Sequence, residues 1–434
     1  MNKVMVYFWA GVFFFLCQVL PARGSELVHG SEPVVVVLDP GHGGENLGAE
    51  YGKYTEKYMT MIVAKAMKEE LEKYEGITVY LTRENDEDMT LEERVLFAKS
   101  VNADFLFCLH FNMSVKHDLF GAEVWVSAFD KEYQRGYTFA SVEMDMLTDL
   151  GLYSRGIKTK LNDRGTDYYG ILRHATANDL TAVLIEHCHL DQENDEEFYT
   201  SPESLKQFGI LDATAVAKYY GLQSKQLGVD YSYYQNVEIP LPSTAVTPDD
   251  TAPDICIIDV KDVKEDTGSV TVEVSAQDYD SYMLYYSYSY DGGVTFSDLQ
   301  RWSPRDEDTI RFTFQVPSGT VPEIVVRAYN GFDGFTESNH IHLPSIRYGI
   351  DEEEAVEASN IIAAGENEQT NGSVKEDASD LISQNKEKQE QRKEITVLYF
   401  FQVSLICVAI LFVLFAIVIL LSAIRSKKKR RRRK

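Results

Sequence analysis

Two periods of hydrophobic and polar residues alternate along the first half of the chain. Short apolar runs at Val34 to Asp39, Thr78 to Arg83, Asp104 to His110, Ala122 to Ser127 and Ala182 to Glu186 have the length and residue types of strands. Between them Met59, Ile62, Val63, Ala66 and Met67 recur at helical spacing and predict a helix from Glu56 to Tyr74. Thr90-Leu91-Glu92-Glu93 is a capping box that opens a helix reaching Ser100. Tyr133 to Leu150 reads as a third helix, and Ser201-Pro202 starts a closing helix through Tyr220. This order predicts an α/β domain over residues 33–222, a mixed twisted sheet with helices on both faces.

After Leu222 the pattern changes. Residues 223–253 carry Tyr231, Tyr233 and Tyr234 followed by prolines and read as a linker. Over 254–346 the runs Ser269 to Ser275, Met283 to Tyr290, Thr309 to Val316 and Ile324 to Ala328 are separated by Gly, Asp and Pro, which predicts a small all-β sandwich of fibronectin or immunoglobulin type. Asp291-Gly292-Gly293 signals a hairpin turn, and Ser289 to Phe296 resembles the aspartate box of glycan-processing proteins, a fold element and not an activity. Tyr286, Tyr288 and Tyr290 share a strand face, where packing is favoured over a sugar platform.

The ends differ again. Residues 347–396 are acidic and rich in Ser, Asn and Gln, as expected of a disordered, flexible stalk. Residues 397–424 are almost wholly apolar and predict one C-terminal transmembrane helix, with the polybasic tail 425–434 on the cytoplasmic side. Residues 1–24, with Lys3, the apolar stretch Val4 to Leu20, Ala22 and Gly24, read as a signal peptide; an uncleaved anchor is the alternative.

Composition supports globular parts with ample cores, since 44% of the 434 residues are hydrophobic and 25% charged. Setting aside the nine basic residues of the tail leaves 33 basic against 68 acidic residues, a balance of −35. Such a surface argues against a nucleic-acid partner and against adhesion to a polyanionic wall, a role that tethering would fill. Cys108, Cys188 and Cys256 lie outside the two apolar end segments, so no disulfide framework is implied, although a Cys108–Cys188 bridge stays open.

The candidate chemistry begins at Asp39-Pro40-Gly41-His42-Gly43-Gly44, where glycines after a strand leave room beside an imidazole. Glu56 opens a helix and His110 closes a strand, so His, Glu and His from three elements suit a catalytic zinc set. Alone, a His after Asp-Pro-Gly is more often a turn residue. The context favours the metal, because Asp39, His110 and Glu186 all stand where a strand ends, and open α/β sheets collect ligands there. Asn112 either orients substrate or a ligand, or bonds its own backbone in a turn. Arg83 and Arg94, flanked by Glu84, Asp86, Glu92 and Glu93, read as structural. His117, His174, His187 and His189 read as loop residues and not a second metal site, and Cys108 and Cys188 as buried apolar residues.

Taken in order, Asp39 to Gly44, Glu56-Lys57, Leu81-Thr82-Arg83, Leu91 to Arg94, Ala103-Asp104-Phe105, His110-Phe111-Asn112, Gly121 to Val124 and Val183 to Glu186 resemble the zinc-dependent N-acetylmuramoyl-L-alanine amidases of type 3. The resemblance runs from Pro33 to about Leu222. It implies His42, Glu56 and His110 as zinc ligands and Glu186 as general base and acid. Cys108, Phe111 and His187-Cys188-His189 depart from the family, where a small Ser, an Ala and a Gly-Phe pair are usual; none removes a ligand or the base. The implied function is hydrolysis of the amide between N-acetylmuramic acid and L-alanine in peptidoglycan, by an enzyme tethered to a bacterial cell membrane with its catalytic domain outside the cytoplasm. Its partners would be peptidoglycan and, through the C-terminal helix, the lipid bilayer. The alternatives are a non-catalytic peptidoglycan-binding or scaffold protein and a zinc peptidase acting on the stem peptide.

Overall fold

Six strands form the central sheet in the order Ile77–Leu81, Val34–Pro40, Phe105–Asn112, Ala182–His189, Ala122–Val126, Ser154–Lys158 in the computed structural model, which describes residues 33–349. Neighbours are parallel except that Ala122–Val126 runs against Ala182–His189, so the sheet is mixed. The segments read as signal peptide, membrane span and basic tail, and the stalk from residue 350 onward, lie outside the described residues. Among the described residues no helix is long and apolar enough to cross a membrane.

Side chains of the central strands alternate between two cores. Val36, Leu38, Phe105, Phe107, Val183 and Ile185 pack with residues of the helices Glu56–Leu71, Asp130–Leu150 and Pro202–Tyr220. Val37, Leu106, Cys108, Ala182 and Leu184 pack with residues of Leu91–Ser100 and Gly170–Ala177. Because both faces are covered, these strands are written as continuous apolar runs and not as alternation. The capping box forms: the Glu93 backbone N–H donates to Thr90 Oγ1 at 3.2 Å and the Thr90 N–H to Glu93 Oε2 at 2.8 Å.

Two elements escape the hydrophobic pattern. The edge strand Ser154–Lys158 reads Ser-Arg-Gly-Ile-Lys, with Arg155 and Lys158 buried, so charge hides it. The helix Gly170–Ala177 has eight residues, too few for its period to stand out. A register shift opposite His110–Asn112 puts one extra residue into the strand between Glu186 and His189, and Cys188 therefore turns into the core opposite that of Cys108. Both are free thiols, so the bridge between them is ruled out.

Two antiparallel sheets follow, one of Ile255–Lys264, Ser269–Gln277 and Thr309–Gln315, the other built on Met283–Ser289 and Glu323–Asn330. Val270, Val272, Val274, Trp302, Ile324, Val326 and Ala328 fill the space between them. Tyr286 lies against Phe312 and Tyr288 stacks on Phe314, so the tyrosine face is core packing. The segment before this sandwich runs along the α/β domain: the Val246 N–H donates to the Ala128 carbonyl at 2.8 Å, and Thr159 Oγ1 donates to the Val246 carbonyl at 2.8 Å. The sandwich itself is seated on that domain through Phe120, Leu284, Tyr285 and Leu299.

Candidate metal centre

Three donors converge at the carboxyl ends of the strands. One ligand atom from each of His42, Glu56 and His110 lies within 4.8 Å of the others, and among the described residues this is the grouping of its kind. Glu56 Oε2 stands 2.9 Å from His42 Nε2, and Oε1 stands 2.9 Å from His110 Nδ1. The Ala49 and Phe111 backbone N–H groups donate to the two Glu56 oxygens at 2.7 and 3.0 Å, which fixes the carboxylate plane. His42 Nδ1 lies 3.0 Å from Asn46 Oδ1, an acceptor that would keep a proton on Nδ1 when a metal takes Nε2. Burial opposes ionisation of Glu56, but hydrogen bonds from His110 and His42 outweigh it and hold its pKa below the usual carboxylate range.

The loop that carries His42 is clamped from below. Arg94 donates to Asp39 Oδ1 and to the His42 carbonyl, both at 2.6 Å, and Arg83 donates to the Pro40 and Gly41 carbonyls, both at 2.9 Å. Both arginines are structural as expected, but their partners are this loop and not the acidic residues beside them in sequence. His42 itself has φ of +65°, a left-handed conformation that costs a non-glycine residue energy and is held by these contacts. Gly41 shows why no side chain stands there: a Cβ would come within 2.3 Å of the His110 ring. At Gly48, φ is +74° and a Cβ would lie 2.5 Å from Glu56 Oε2 and 2.6 Å from the His42 ring. These cradles are open only because the side chains are missing.

Glu186 pairs in register with His110 on the next strand, and Glu123 pairs in register with Glu186 on the strand beyond. Glu186 is 8% exposed, and its Oε2 is buried without a hydrogen-bond partner. Burial first, then the Glu56 and Glu123 charges, push its pKa well above the usual range. A carboxyl group in this state keeps its proton to a higher pH than an exposed one, and its carboxylate is a stronger base. It shares a cavity of about 390 Å³ with His42, Glu56 and His110, walled by Tyr169, Ile171 and Leu184.

Asn112 lines the same cavity but makes no hydrogen bond to the His–Glu–His set. Its Nδ2 donates to Glu123 Oε1 at 3.0 Å, while its Oδ1 accepts the Met113 N–H at 2.8 Å, so it combines a turn bond with a contact to Glu123. His187 and His189 are buried, not loop residues, because the strand continues to His189. His187 donates from Nδ1 to the His110 carbonyl at 2.9 Å, and His189 Nδ1 lies 3.0 Å from the Gly121 carbonyl, so neither joins the cluster. Sequence reasoning gave Glu123 no role, yet it accepts from Asn112, Trp125 and Arg155 and pairs with Lys158 at 2.8 Å. The signal was available: a carboxylate inside the apolar run Ala122–Val126 needs a buried partner.

A His–Glu–His cluster with a buried carboxyl group beside it has the donors to hold a divalent metal ion. Residues 36–218 match the family described as N-acetylmuramoyl-L-alanine amidase. Over 97 residues the chain is 37% identical to the probable N-acetylmuramoyl-L-alanine amidase AmiB of Haemophilus influenzae, a match spanning 22% of this chain and 22% of that protein. The uncharacterized protein YqiI of Bacillus subtilis is 28% identical over 200 residues, 46% of this chain and 89% of its own length. Among solved structures, Cwp6 from Clostridium difficile is 30% identical, with a TM-score of 0.41 and coverage of 44% of this chain and 30% of that one. The chain thus spans about a fifth of AmiB and under a third of Cwp6.

Proposed function

We propose that this protein is a zinc-dependent amidase that hydrolyses the bond between N-acetylmuramic acid and L-alanine in peptidoglycan. The observation that carries the reading is the convergence of His42, Glu56 and His110 beside Glu186, a buried carboxyl group with an uncommitted oxygen. The family match of residues 36–218 supports the choice of bond.

The residues fit zinc. Two imidazoles and one carboxylate are a borderline-soft donor set with a fourth position left open, and the glycine cradles at Gly41 and Gly48 keep that space clear. Zinc held there supplies Lewis acidity that polarises an amide carbonyl and acidifies a water. The remaining work falls to the chain. The Ala49 and Phe111 N–H groups orient Glu56, and Asn46 sets the His42 tautomer. Glu186, whose carboxylate is made a stronger base by burial and by its acidic neighbours, accepts the proton of the attacking water and returns it to the departing nitrogen. Tyr169, Ile171 and Leu184 limit water around it.

Chelation should abolish cleavage of purified wall by the full chain, and Glu186→Gln should keep the metal while losing turnover; activity surviving both treatments sinks the mechanism. A purely binding role is disfavoured by the complete donor set and the poised carboxyl group. We further propose tethering to a bacterial cell membrane by residues 397–424, with the amidase domain outside the cytoplasm. The apolar composition of that segment and the basic residues 425–434 support it. Release of the protein from membranes by salt alone would contradict it.

A further inference from the structure

A second cavity opens beside the metal centre, and the sandwich helps to build it. Its volume is about 760 Å³, within the range of ligand sites. Asn112 and Met113 line both this cavity and the one that holds Glu186, so the two are neighbours along one path. Its walls come from three parts of the chain: Lys158 on the edge strand, Thr247 to Asp250 of the connector, and Phe332 with Asp333 of the sandwich.

Charge is distributed unevenly across it. Arg155 is largely committed, donating to Glu123 at 2.9 Å, to the Tyr285 hydroxyl at 3.0 Å and to both oxygens of Asp333 at 2.9 and 3.1 Å. Lys158 is not. It is 2% exposed, its ammonium group has a single oxygen partner in Glu123 Oε2 among the described residues, the Trp125 and Phe332 rings lie at 5.6 and 5.7 Å, and the Arg155 and Asp333 charges act on it from nearby. A buried ammonium with two donors to spare is ready for an added acceptor. At the rim Asp250 is exposed and has neither hydrogen bond nor ion pair among the described residues, while Asp249 is occupied by Thr251 and Asn330. The cavity therefore offers a buried cationic donor at Lys158 and a free anion at Asp250, with exposed Lys160, engaged among the described residues only over the Tyr168 ring, as a second cation on its wall.

The substrate of the proposed reaction has two unequal sides. A glycan strand continues in both directions and needs an open groove, whereas the stem peptide has a free end that fits a walled cavity. Resting on the amidase reading above, we propose that this cavity receives the stem peptide beyond the scissile amide, with Lys158 taking a peptide carboxylate and Asp250 a side-chain amine. The ligand class is a short peptide bearing both a carboxylate and a free amine. The sandwich is then part of the substrate site.

The test uses the full chain with two readouts. First, the free tripeptide L-alanyl-D-glutamyl-L-lysine is titrated by NMR; second, KM is compared for muramoyl-tripeptide and muramoyl-L-alanine. The wild-type chain should bind the tripeptide. Lys158→Met, which keeps the apolar stem on its aromatic neighbours, should weaken binding at least tenfold. Thr247→Trp fills the cavity from the exposed connector without removing a charge, and should raise the KM for muramoyl-tripeptide at least tenfold relative to that for muramoyl-L-alanine. Asp250→Asn should weaken the free tripeptide several-fold more than the form acetylated on its lysine side-chain amine. Tripeptide binding by a chain that cleaves no muramoyl amide would keep the subsite and remove the hydrolytic reading. Cleavage with a KM ratio untouched by Thr247→Trp, or a peptide-free muramic disaccharide displacing the tripeptide, would overturn the subsite and leave the hydrolytic reading in place.

Discussion

Replacing Gly41 by alanine adds one methyl group and tests whether the two imidazoles are held in register by space alone. Gly41 has no left-handed backbone, so the substitution carries no conformational strain of its own. The new Cβ would sit 2.3 Å from His110 Cε1, 2.6 Å from Nε2 and 2.7 Å from Nδ1. Carbon contacts relax at about 3.5 Å, so the His110 ring has to retreat by roughly 1 Å. Zinc–ligand distances tolerate only about 0.2 Å. A fault in the shell around a ligand weakens metal binding by about 10- to 100-fold, and a displaced ligand belongs at the upper end of that range. The assay is competitive zinc titration of the full chain against a chromophoric chelator, with thermal unfolding as a control for folding. A folded Gly41→Ala protein that binds zinc as tightly as the wild type would refute the argument that His110 is a ligand crowded by that position.

Other predictions follow from different parts of the molecule. Glu186→Gln should reduce turnover about 10²- to 10⁴-fold, the usual scale for a general base, with zinc content retained in elemental analysis. Arg155→Met leaves Glu123 and Asp333 without their shared guanidinium and should cost about 3–5 kcal/mol in urea unfolding. Asp333→Asn, at the more exposed end of the same network, should cost no more than about 1 kcal/mol. Asp212 is buried against His187, and desolvation pushes its pKa from 3.8 up to about 8. The folded state therefore holds a proton that the unfolded state has lost, so this group's contribution to stability is at its best below pH 3.8 and declines as pH rises to about 8. His187, pushed below 6.5 by burial, acts in the opposite sense and costs stability as pH falls under that value. Asp212→Asn should flatten the fall in melting temperature between pH 6 and 8; an unchanged slope would show that the proton is not there.

Much of the sheet was legible because its strands are buried on both faces and so appear as unbroken apolar runs. The sheet edge was not, because Arg155 and Lys158 interrupt it with charges that only tertiary partners explain. His42, Glu56 and His110 could be picked out because each marks the end or start of an element, and the fold brings such ends together. Two sets of partners could not be read. Glu123 and its ring of partners depend on strand order, which the chain reveals only once Ala122–Val126 inserts next to Ala182–His189. The partners of Arg83 and Arg94 are likewise hidden, since acidic residues adjacent in sequence are not those adjacent in space.

One measurement bears most directly on the account: zinc content of the purified full chain together with mass analysis of the products it releases from peptidoglycan. The account predicts one zinc per chain, lost in His42→Ala and His110→Ala, and stem peptides released intact with a free L-alanine amino terminus. Intact peptides released at full rate by a zinc-free protein would contradict the metal centre, and cuts within the stem peptide would contradict the bond.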